Sequence, residues 1–319
     1  MWKYILKRLL LLIPVLIGVS FLVFSILNLK PGDPGRMILG ISAPQEAVDA
    51  YNEELGLNDP FLVRYGNYML GLLHGDFGNS WYGGDPVLPT VLKLFPVTFK
   101  ICLLAILFSI IVGIPIGVLS AVKQYSPADR IASILAMILT SIPTFWLALL
   151  LLLLFALKLK LLPPYGLSSF KSYILPMVVL GASSFGATIR LTRSSMLEEI
   201  RKDYVRTARS KGAKESRVIF RHALKNSLIP VFTACGGQFS TLLGATVFVE
   251  TVFSLPGIGK YMYEAITGKD IPVVMCCVLL ISVMVVLINL AVDILYAFLD
   301  PRIKSKYQGS KLFVRRKKA

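Results

Sequence analysis

Residues 97–121 read VTFKICLLAILFSIIVGIPIGVLSA, a run of 25 residues in which Lys100 is the one charged side chain. A helix crosses the hydrocarbon core of a bilayer with about 20 apolar residues. A helix of a soluble domain usually buries one face and exposes the other, so a run that is apolar on every side does not suit it. The run therefore predicts a transmembrane helix.

Five further runs of similar character lie on either side of this one, and the six together are the predicted spans. To within a few residues they cover 9–29, 97–121, 131–157, 173–191, 228–249 and 272–299. The first run follows Lys3, Lys7 and Arg8, as the core of a signal peptide does, but it is longer than the roughly 7–15 residues of such a core. It also ends without a small-residue cleavage site, so we expect a retained span.

Composition excludes one large soluble domain, because 55% of the 319 residues are hydrophobic and the mean hydropathy is +0.69. The net charge of +16 fits either a nucleic-acid surface or the basic loops of a membrane protein. Of the 34 Lys and Arg residues, 23 lie in 3–8, 123–130, 193–225 and 302–318, which the spans place on one side. Segment 30–96 has only four, against eight acidic residues. The positive-inside rule therefore places both termini in the cytoplasm, and a nucleic-acid partner is not expected.

The spans divide the chain into four parts. They are residues 1–29, the N-terminal cytoplasmic end and first transmembrane helix; 30–96, an extracytoplasmic helical segment; 97–299, a core of five transmembrane helices that includes loop 193–227; and 300–319, a basic cytoplasmic tail. Within the extracytoplasmic segment, Ser42-x-x-Gln45 is a capping-box pattern that predicts a helix start, and Gly56 predicts its end. Asp59-Pro60 predicts the start of a second short helix, running toward Gly71.

Loop 193–227 is long for a connection between helices, which is commonly 2–8 residues. From Leu191 to Ser210 it has neither Pro nor Gly, so we expect the fourth span to continue as a helix. Gly212 permits the left-handed conformation that ends a helix. A second helix is predicted over 214–225, and its apolar face would lie either on anionic lipid or in a groove of a soluble partner. The predicted fold class is an all-α membrane protein with six transmembrane helices, a helical extracytoplasmic segment after the first span and a cytoplasmic helix between spans four and five.

Certain prolines and glycines have predicted structural roles within the spans. Pro143 and Pro272 are expected to kink or begin spans, because proline inside a helix removes a backbone hydrogen bond. Gly236, Gly237 and Gly244 are expected to permit close helix packing.

Two stretches of the loop carry a specific resemblance. They read DYVRTARSKG over 203–212 and RHALKNSLIP over 221–230. Both resemble the cytoplasmic "EAA" loop of ABC importer permeases, in the version found in the dipeptide/oligopeptide/nickel permease family. The Glu-Ala-Ala positions hold Arg206, Thr207 and Ala208, and Leu224-Lys225 stands where the general pattern has Leu-Pro. These departures are typical of the peptide/nickel subfamily.

Further motifs are similar to those of the same family and occur in the same order. They read YILKRL (4–9), PGDP (31–34), LGLNDP (55–60), GDFGNS (75–80), IPIGV (114–118), SIPTFW (141–146), ETVFSLPGIG (250–259) and LDPR (299–302). Each is weak alone, but together they cover nearly the whole chain. The chain is therefore identified as a member of this family.

The resemblance implies a permease subunit of an ATP-driven importer, without catalytic chemistry of its own, in the cytoplasmic membrane of a bacterium or archaeon. The implied partners are a second homologous permease subunit, two ABC ATPase subunits that bind ATP and Mg, an extracytoplasmic solute-binding protein and the lipid bilayer. The chain has no G-x-x-x-x-G-K-[ST] phosphate loop, so we expect no cofactor in it. The residues expected to contact an ATPase subunit are Tyr204, Arg206, Ala208, Arg209, Gly212, Ala213 and Glu215.

Polar residues within the spans are candidates for the translocation pathway, because polar groups in a membrane usually face a cavity or another helix. The candidates are Ser141, Thr144, Gln238, Ser240, Thr241 and Asn289. The serine and threonine hydroxyls could instead form hydrogen bonds to their own helix, and Gln238 and Asn289 could bond to a neighbouring helix. Asp293, near the inner end of the sixth span, is expected to pair with a cytoplasmic-side Arg or Lys. The two histidines and four cysteines form no cluster with metal-ligand spacing, so no metal site is expected.

The sequence leaves the solute open among dipeptides, longer peptides, nickel and related small solutes, with peptides preferred. A secondary transporter or a channel would also contain several spans, and neither class is excluded by the spans alone. Secondary transporters often show inverted repeats, and no clear repeat is seen here. Dependence of uptake on ATP separates the importer from both classes.

Overall fold

The structure is a computed structural model that describes residues 2–29 and 32–299. Within these ranges every regular element is a helix, apart from one isolated backbone bridge between Asn79 and Pro86. The predicted all-α class is confirmed. The predicted basic tail, 300–319, lies outside the described residues.

The helices in chain order are α1 Trp2–Leu29, α2 Pro34–Leu39, α3 Gln45–Glu54, α4 Phe61–Leu73, α5 Val87–Val122, α6 Pro127–Ser141, α7 Thr144–Leu151, α8 Ile174–Ile200, α9 Asp203–Ser210, α10 Glu215–Arg217, α11 Leu224–Val252, α12 Ile258–Gly268 and α13 Ile271–Leu299. Three shorter helical turns join them: a π-helical turn Leu152–Lys158 after α7, a 3-10 turn Phe170–Tyr173 before α8, and a π-helical turn Val218–Ala223 between α10 and α11.

Among the residues that the structure describes, five helical stretches are long and apolar enough to cross a membrane, and a sixth crossing exists if a bent pair is taken as one span. This pair is Pro127–Ser141 and Thr144–Lys158, which meet at an angle of 105°. The predicted span over 131–157 is therefore a sharply bent pair of helices. The cause is Pro143: the residue before a proline is driven to extended backbone, and Ile142 has ψ 127°. Pro143 and Pro272 begin helical stretches, as expected.

The centre of the bundle is the pair α5 and α8, which pack at very short distance because glycines face the partner helix. A Cβ at Gly117 of α5 would lie 2.6 Å from Cβ of Thr192, and one at Gly181 of α8 would lie 3.0 Å from the carbonyl oxygen of Ala105. Small residues allow such approach between membrane helices. Gly236 of α11 has the predicted packing role, since its Cβ would meet Val292, whereas Gly237 and Gly244 face open space.

Residues 32–86 form a helical segment at one end of the helix bundle. We call this end of the bundle the segment end. Its helix α4 packs on α1, where the Tyr65 hydroxyl lies 2.9 Å from Oγ of Ser20 and the Tyr65 ring meets Phe24. Gly56 has φ +66° directly after α3, as predicted. The predicted capping box is wrong, because α3 begins after Pro44 and no side chain caps it. The opposite end, which carries α9 and α10, is called the loop end.

Candidate functional site: the loop between α8 and α11

The loop that resembles an importer's ATPase-contacting loop consists of α9, a turn at Gly212, and α10. The predicted continuation of the fourth span as a helix is confirmed as far as Ile200, where α8 ends, but not to Ser210, because Lys202 has extended backbone with ψ 151°. This break turns α9 so that Val205 is fully buried. Gly212 has φ +78°, the left-handed conformation that the sequence predicts there. The second predicted helix, 214–225, is not separate, since helical structure continues from Glu215 to Val252.

The apolar face of this second part is covered by the chain's own helices. Ile219 and Ala223 join Val118 and Ala121 of α5 and Met196 of α8 in one buried cluster. The expectation that this face lies on lipid or in a partner's groove is therefore wrong. Burial of these side chains fixes the loop to the two central helices, because apolar area removed from solvent is the main source of packing energy.

Tyr204, the first predicted contact residue, joins three parts of the loop end. Its hydroxyl donates to Oε2 of Glu199 at 2.5 Å and accepts from Nδ2 of Asn226 at 3.0 Å. Glu199 belongs to α8 and Asn226 to α11, so the phenol connects α9 to both. Burial, together with the neighbouring Glu199 carboxylate, raises the pKa of Tyr204 above its ordinary value, so the hydroxyl keeps its proton at neutral pH.

Two predicted contact residues pair with each other across the Gly212 turn. Nε and Nη2 of Arg209 lie 3.0 and 2.6 Å from the two carboxylate oxygens of Glu215, a two-point arrangement. Their charges thus brace the turn. Arg206 contrasts with them, since its side chain is 72% exposed and its contact with Asp203 is 3.9 Å long.

The remaining predicted contact residues lie on the same surface. Ala208 and Ala213 are half-buried, and Gly212 is exposed with no heavy atom within 4 Å of where a Cβ would stand. All seven predicted residues therefore fall on one compact, internally braced surface at the loop end. The exposed charges on and beside it are mostly basic. The basic ones are Arg201, Lys202, Arg206, Arg209, Lys211, Lys214 and Arg217, and the acidic ones are Glu198, Asp203 and Glu215.

The predicted pathway residues fall in three places. Ser141 and Thr144 flank the bend between α6 and α7, and Asn289 lies on α13. Gln238, Ser240 and Thr241 lie on α11, where Oε1 of Gln238 and Oγ of Ser240 are buried without a hydrogen-bond partner among the described residues. In the part of the chain that the structure describes, no hydrogen bond joins the three places. One face of α11 remains exposed, and beside the exposed Phe248 it carries four small residues. They are Thr233, Gly237, Thr241 and Gly244.

Asp293 pairs with Arg8, at 2.8 Å between Oδ2 and Nη1, so the predicted pairing of Asp293 with an Arg or Lys is confirmed. Sequence reasoning missed two other carboxylates. Asp129 binds Arg193 at the loop end, and Glu250 is fully buried at the segment end. A signal for Glu250 was present, since it is an acid within an apolar run that precedes Gly257-Ile-Gly259. The partner of Asp129 is 64 residues away, so no local pattern pointed to it.

No group of three or more His, Cys, Asp or Glu side chains placed to hold a metal ion occurs in residues 2–29 and 32–299.

The described residues form a helical bundle of membrane-spanning length with a braced, exposed loop at one end. This is the form of a transporter's membrane subunit, which carries a pathway and a contact surface.

The chain belongs to the family of binding-protein-dependent transport system inner membrane components. The sequence model of that family matches residues 113–305, and the model of the N-terminal part of such membrane components matches residues 1–102. The chain is therefore a non-catalytic permease subunit of an ABC importer, a multi-pass inner membrane protein whose ATP is hydrolysed by separate subunits. Membership also implies an ATPase and a substrate-binding protein as partners.

Similar proteins support this assignment over the whole chain. A dipeptide transport system permease protein of Alkalihalophilus pseudofirmus is 42% identical over 332 residues, which covers 95% of this chain and all of the relative. Glutathione transport system permease proteins of Salmonella choleraesuis and Escherichia coli K12 are 40% and 38% identical and cover 96% of this chain. The membrane fold matches a solved inward-facing MetNI methionine ABC transporter with a TM-score of 0.59 at 20% identity, over 68% of this chain and 99% of that one.

Proposed function

We propose that this chain forms half of a translocation pathway for short peptides and receives the energy of ATP through the loop surface of residues 203–215. The solute class is supported by the relatives, which are named for a dipeptide and for glutathione, itself a tripeptide. Their identity of 38–42% extends over nearly the whole of this chain.

The proposed ATPase contact is supported by the way in which the loop is attached to the membrane-spanning helices. Its outer surface is exposed, while its inner side is fixed to α5 and α8 by the cluster around Met196 and to α11 through Tyr204. A force applied to Arg206 or Gly212 is thus transmitted to membrane-spanning helices. Because the exposed charges are mostly basic, the complementary surface of an ATPase subunit is acidic.

The same proposal assigns sides and partners. The loop end and both termini lie in the cytoplasm, and residues 32–86 lie outside, where a solute-binding protein docks. A second permease subunit covers the exposed small-residue face of α11, and the pathway lies between the two, beside Thr241. Two ATPase subunits bind ATP and Mg.

The ATPase contact is tested by charge reversal at Arg206 in the complete importer. Arg206→Glu places a like charge against an acidic partner and is expected to reduce copurifying ATPase about tenfold, which corresponds to about 1.4 kcal/mol. Lys171→Glu is the matched control, since Lys171 is also exposed but lies at the segment end. Purified without ATPase subunits, both variant chains should elute from size exclusion like the wild-type chain. Equal retention of ATPase by the two variants would count against the proposed contact.

The solute is tested by uptake of labelled dipeptide, glutathione and nickel into proteoliposomes that contain the complete importer and its binding protein. We expect peptide uptake that requires internal ATP and is lost with Arg206→Glu. Uptake of nickel alone, or uptake without ATP, would contradict the proposed function.

A further inference from the structure

Glu250 is a completely buried carboxylate near the segment end of α11, and the function described so far gives it no role. Its Oε1 accepts a hydrogen bond from Oγ1 of Thr98 on α5 at 2.6 Å. Its Oε2 accepts one from the backbone N–H of Lys260 at 3.0 Å. Lys260 lies in the first turn of α12, so a single side chain near the end of α11 connects that turn to α5. A buried charge is retained where such partners compensate its lost hydration.

The chain leaves room for this carboxylate by using glycine on the opposite side. A Cβ at Gly257 would overlap Cδ of Glu250, and one at Gly259 would lie 2.9 Å from Oε2. Thr98 completes the arrangement, since its Oγ1 also accepts the backbone N–H of Ile258 at 3.0 Å. The N-terminal end of α12 thus rests on the carboxylate, where unpaired N–H groups and the helix dipole favour a negative charge. We call Thr98, Glu250, Gly257 and Gly259 the Glu250 cluster.

The other end of α12 is joined to residues 32–86. The Tyr82 hydroxyl donates to the carbonyl oxygen of Gly268 at 2.5 Å. Two residues further on, Oδ2 of Asp270 accepts from Oγ of Ser80 at 2.5 Å and from the backbone N–H of Trp81 at 3.2 Å. Helix α12 therefore bridges the external segment at one end and the membrane helices at the other.

We propose that Glu250 is a positioning residue that holds α12 closed over α5 and the end of α11, and that its release opens the pathway at the segment end. This inference rests on the proposed function. A partner that moves residues 80–82 also moves the C-terminal end of α12. For α12 to leave the membrane helices, the hydrogen bonds of the Glu250 cluster must then break. The motif ETVFSLPGIG at 250–259 then encodes one device, a carboxylate with the glycines that make space for it.

A native cysteine reports on this contact. Cys102 lies one helical turn from Thr98 on α5 and is fully buried, and the other three cysteines are buried as well. In the complete importer reconstituted in liposomes, we would measure labelling of each cysteine by a membrane-impermeant maleimide, with mass spectrometry of the peptides. Glu250→Gln and Thr98→Val each remove a charge-assisted hydrogen bond, so Cys102 should label about tenfold faster. Thr98→Ser keeps the hydroxyl and should label like the wild type.

The pattern of labelling decides the result. Unchanged labelling of Cys102 in both Glu250→Gln and Thr98→Val would overturn the proposal, whatever happens to uptake. Equal acceleration at Cys235, fifteen residues along α11 toward the loop end, would show general loosening and would overturn it as well. Labelling requires no import, so the two proposals can fail separately. Peptide uptake that proves independent of ATP would refute the proposed function, whereas the role of Glu250 is decided by the labelling alone.

Discussion

Asp129 and Arg193 form a two-point ion pair that joins the start of α6 to α8 at the loop end. Nε and Nη2 of Arg193 lie 2.6 and 2.9 Å from the two carboxylate oxygens, and Ser120 of α5 donates to the same carboxylate at 2.5 Å. The Asp129 side chain is 5% exposed and that of Arg193 is 27% exposed. The carboxylate is therefore the more deeply buried partner of the two.

This asymmetry predicts unequal effects of two substitutions. Arg193→Met leaves a buried carboxylate without its partner and should destabilise the chain by about 3 kcal/mol, whereas Asp129→Asn leaves a partly exposed guanidinium and should cost less. Arg8→Met is a matched control, because the Arg8–Asp293 pair is 37% and 35% exposed and should contribute below about 1 kcal/mol. Thermal unfolding of the purified chains in detergent measures the order. Equal losses for the variants at positions 8 and 193 would contradict it.

A second prediction concerns Gly212. The structure identifies backbone conformation, not crowding, as the reason for a glycine at this position. At φ +78° a side chain is strained, yet no heavy atom lies within 4 Å of an added Cβ. Gly212→Asn should therefore retain more ATPase contact and uptake than Gly212→Val, since asparagine tolerates the left-handed region and β-branched residues do not. Copurified ATPase and peptide uptake are the measurements. If the asparagine and valine variants are equally impaired, crowding at a partner surface explains the glycine better.

Asp270 predicts a dependence of stability on pH. Burial raises the pKa of Asp270 above its ordinary value of 3.8, while the hydrogen bond from Ser80 acts in the opposite direction. The folded chain thus holds the Asp270 proton more tightly than the unfolded chain does. The contribution of this proton to the free energy of unfolding is therefore full below pH 3.8 and is lost as the pH rises through the raised pKa. The gain in unfolding temperature of Asp270→Asn over wild type should therefore increase from about pH 4 upward.

A second variant sharpens this test. Ser80→Ala removes the hydrogen bond that lowers the pKa of Asp270, so the loss of stability with rising pH should be larger than in the wild type. Unfolding temperatures measured in one detergent across this pH range decide the question. A stability difference that stays constant with pH would show that Asp270 does not titrate as described.

The sidedness of the chain is tested by single introduced cysteines. Ile41 is 90% exposed in the segment end, and Lys211 is exposed beside the Gly212 turn. In intact cells, Ile41→Cys should react with an impermeant maleimide and Lys211→Cys should react only after the membrane is permeabilised. The reverse pattern would place the proposed ATPase contact outside and would refute the proposed orientation.

The helical spans and the break at Gly212 were predictable because each rests on a local property. Apolar length marks a span, and glycine after a helical run marks its end. The pairing of Asp293 was also predictable in kind, since an acid near a span's end needs a cation, although the sequence did not name Arg8. The resemblance of residues 203–212 to a known loop narrowed the function further than composition did.

The parts that sequence reasoning missed depend on tertiary contacts. The break at Lys202 and the continuous helix from Glu215 follow from how Val205 and Ile219 are buried against other helices, which no local pattern records. The Glu250 cluster needs Thr98, which lies 152 residues away in sequence. The bend at Pro143 was expected as a kink, but its size of 105° depends on the packing of α6 and α7 around it.

The helical stretch Glu215–Val252, which contains a π-helical turn at Val218–Ala223 and Pro230 within α11, has a mechanical consequence. Its 38 residues correspond to roughly 57 Å at 1.5 Å per residue, with the Gly212 turn just before one end and Glu250 near the other. If the stretch moves as one body and pivots near its middle by roughly 5°, each tip is displaced by roughly 2.5 Å in opposite directions. That distance is comparable to the length of the hydrogen bonds around Glu250. The chain would then need no relay of side chains across the membrane. A displacement of the helix at the Gly212 turn would by itself move the Glu250 end in the opposite direction.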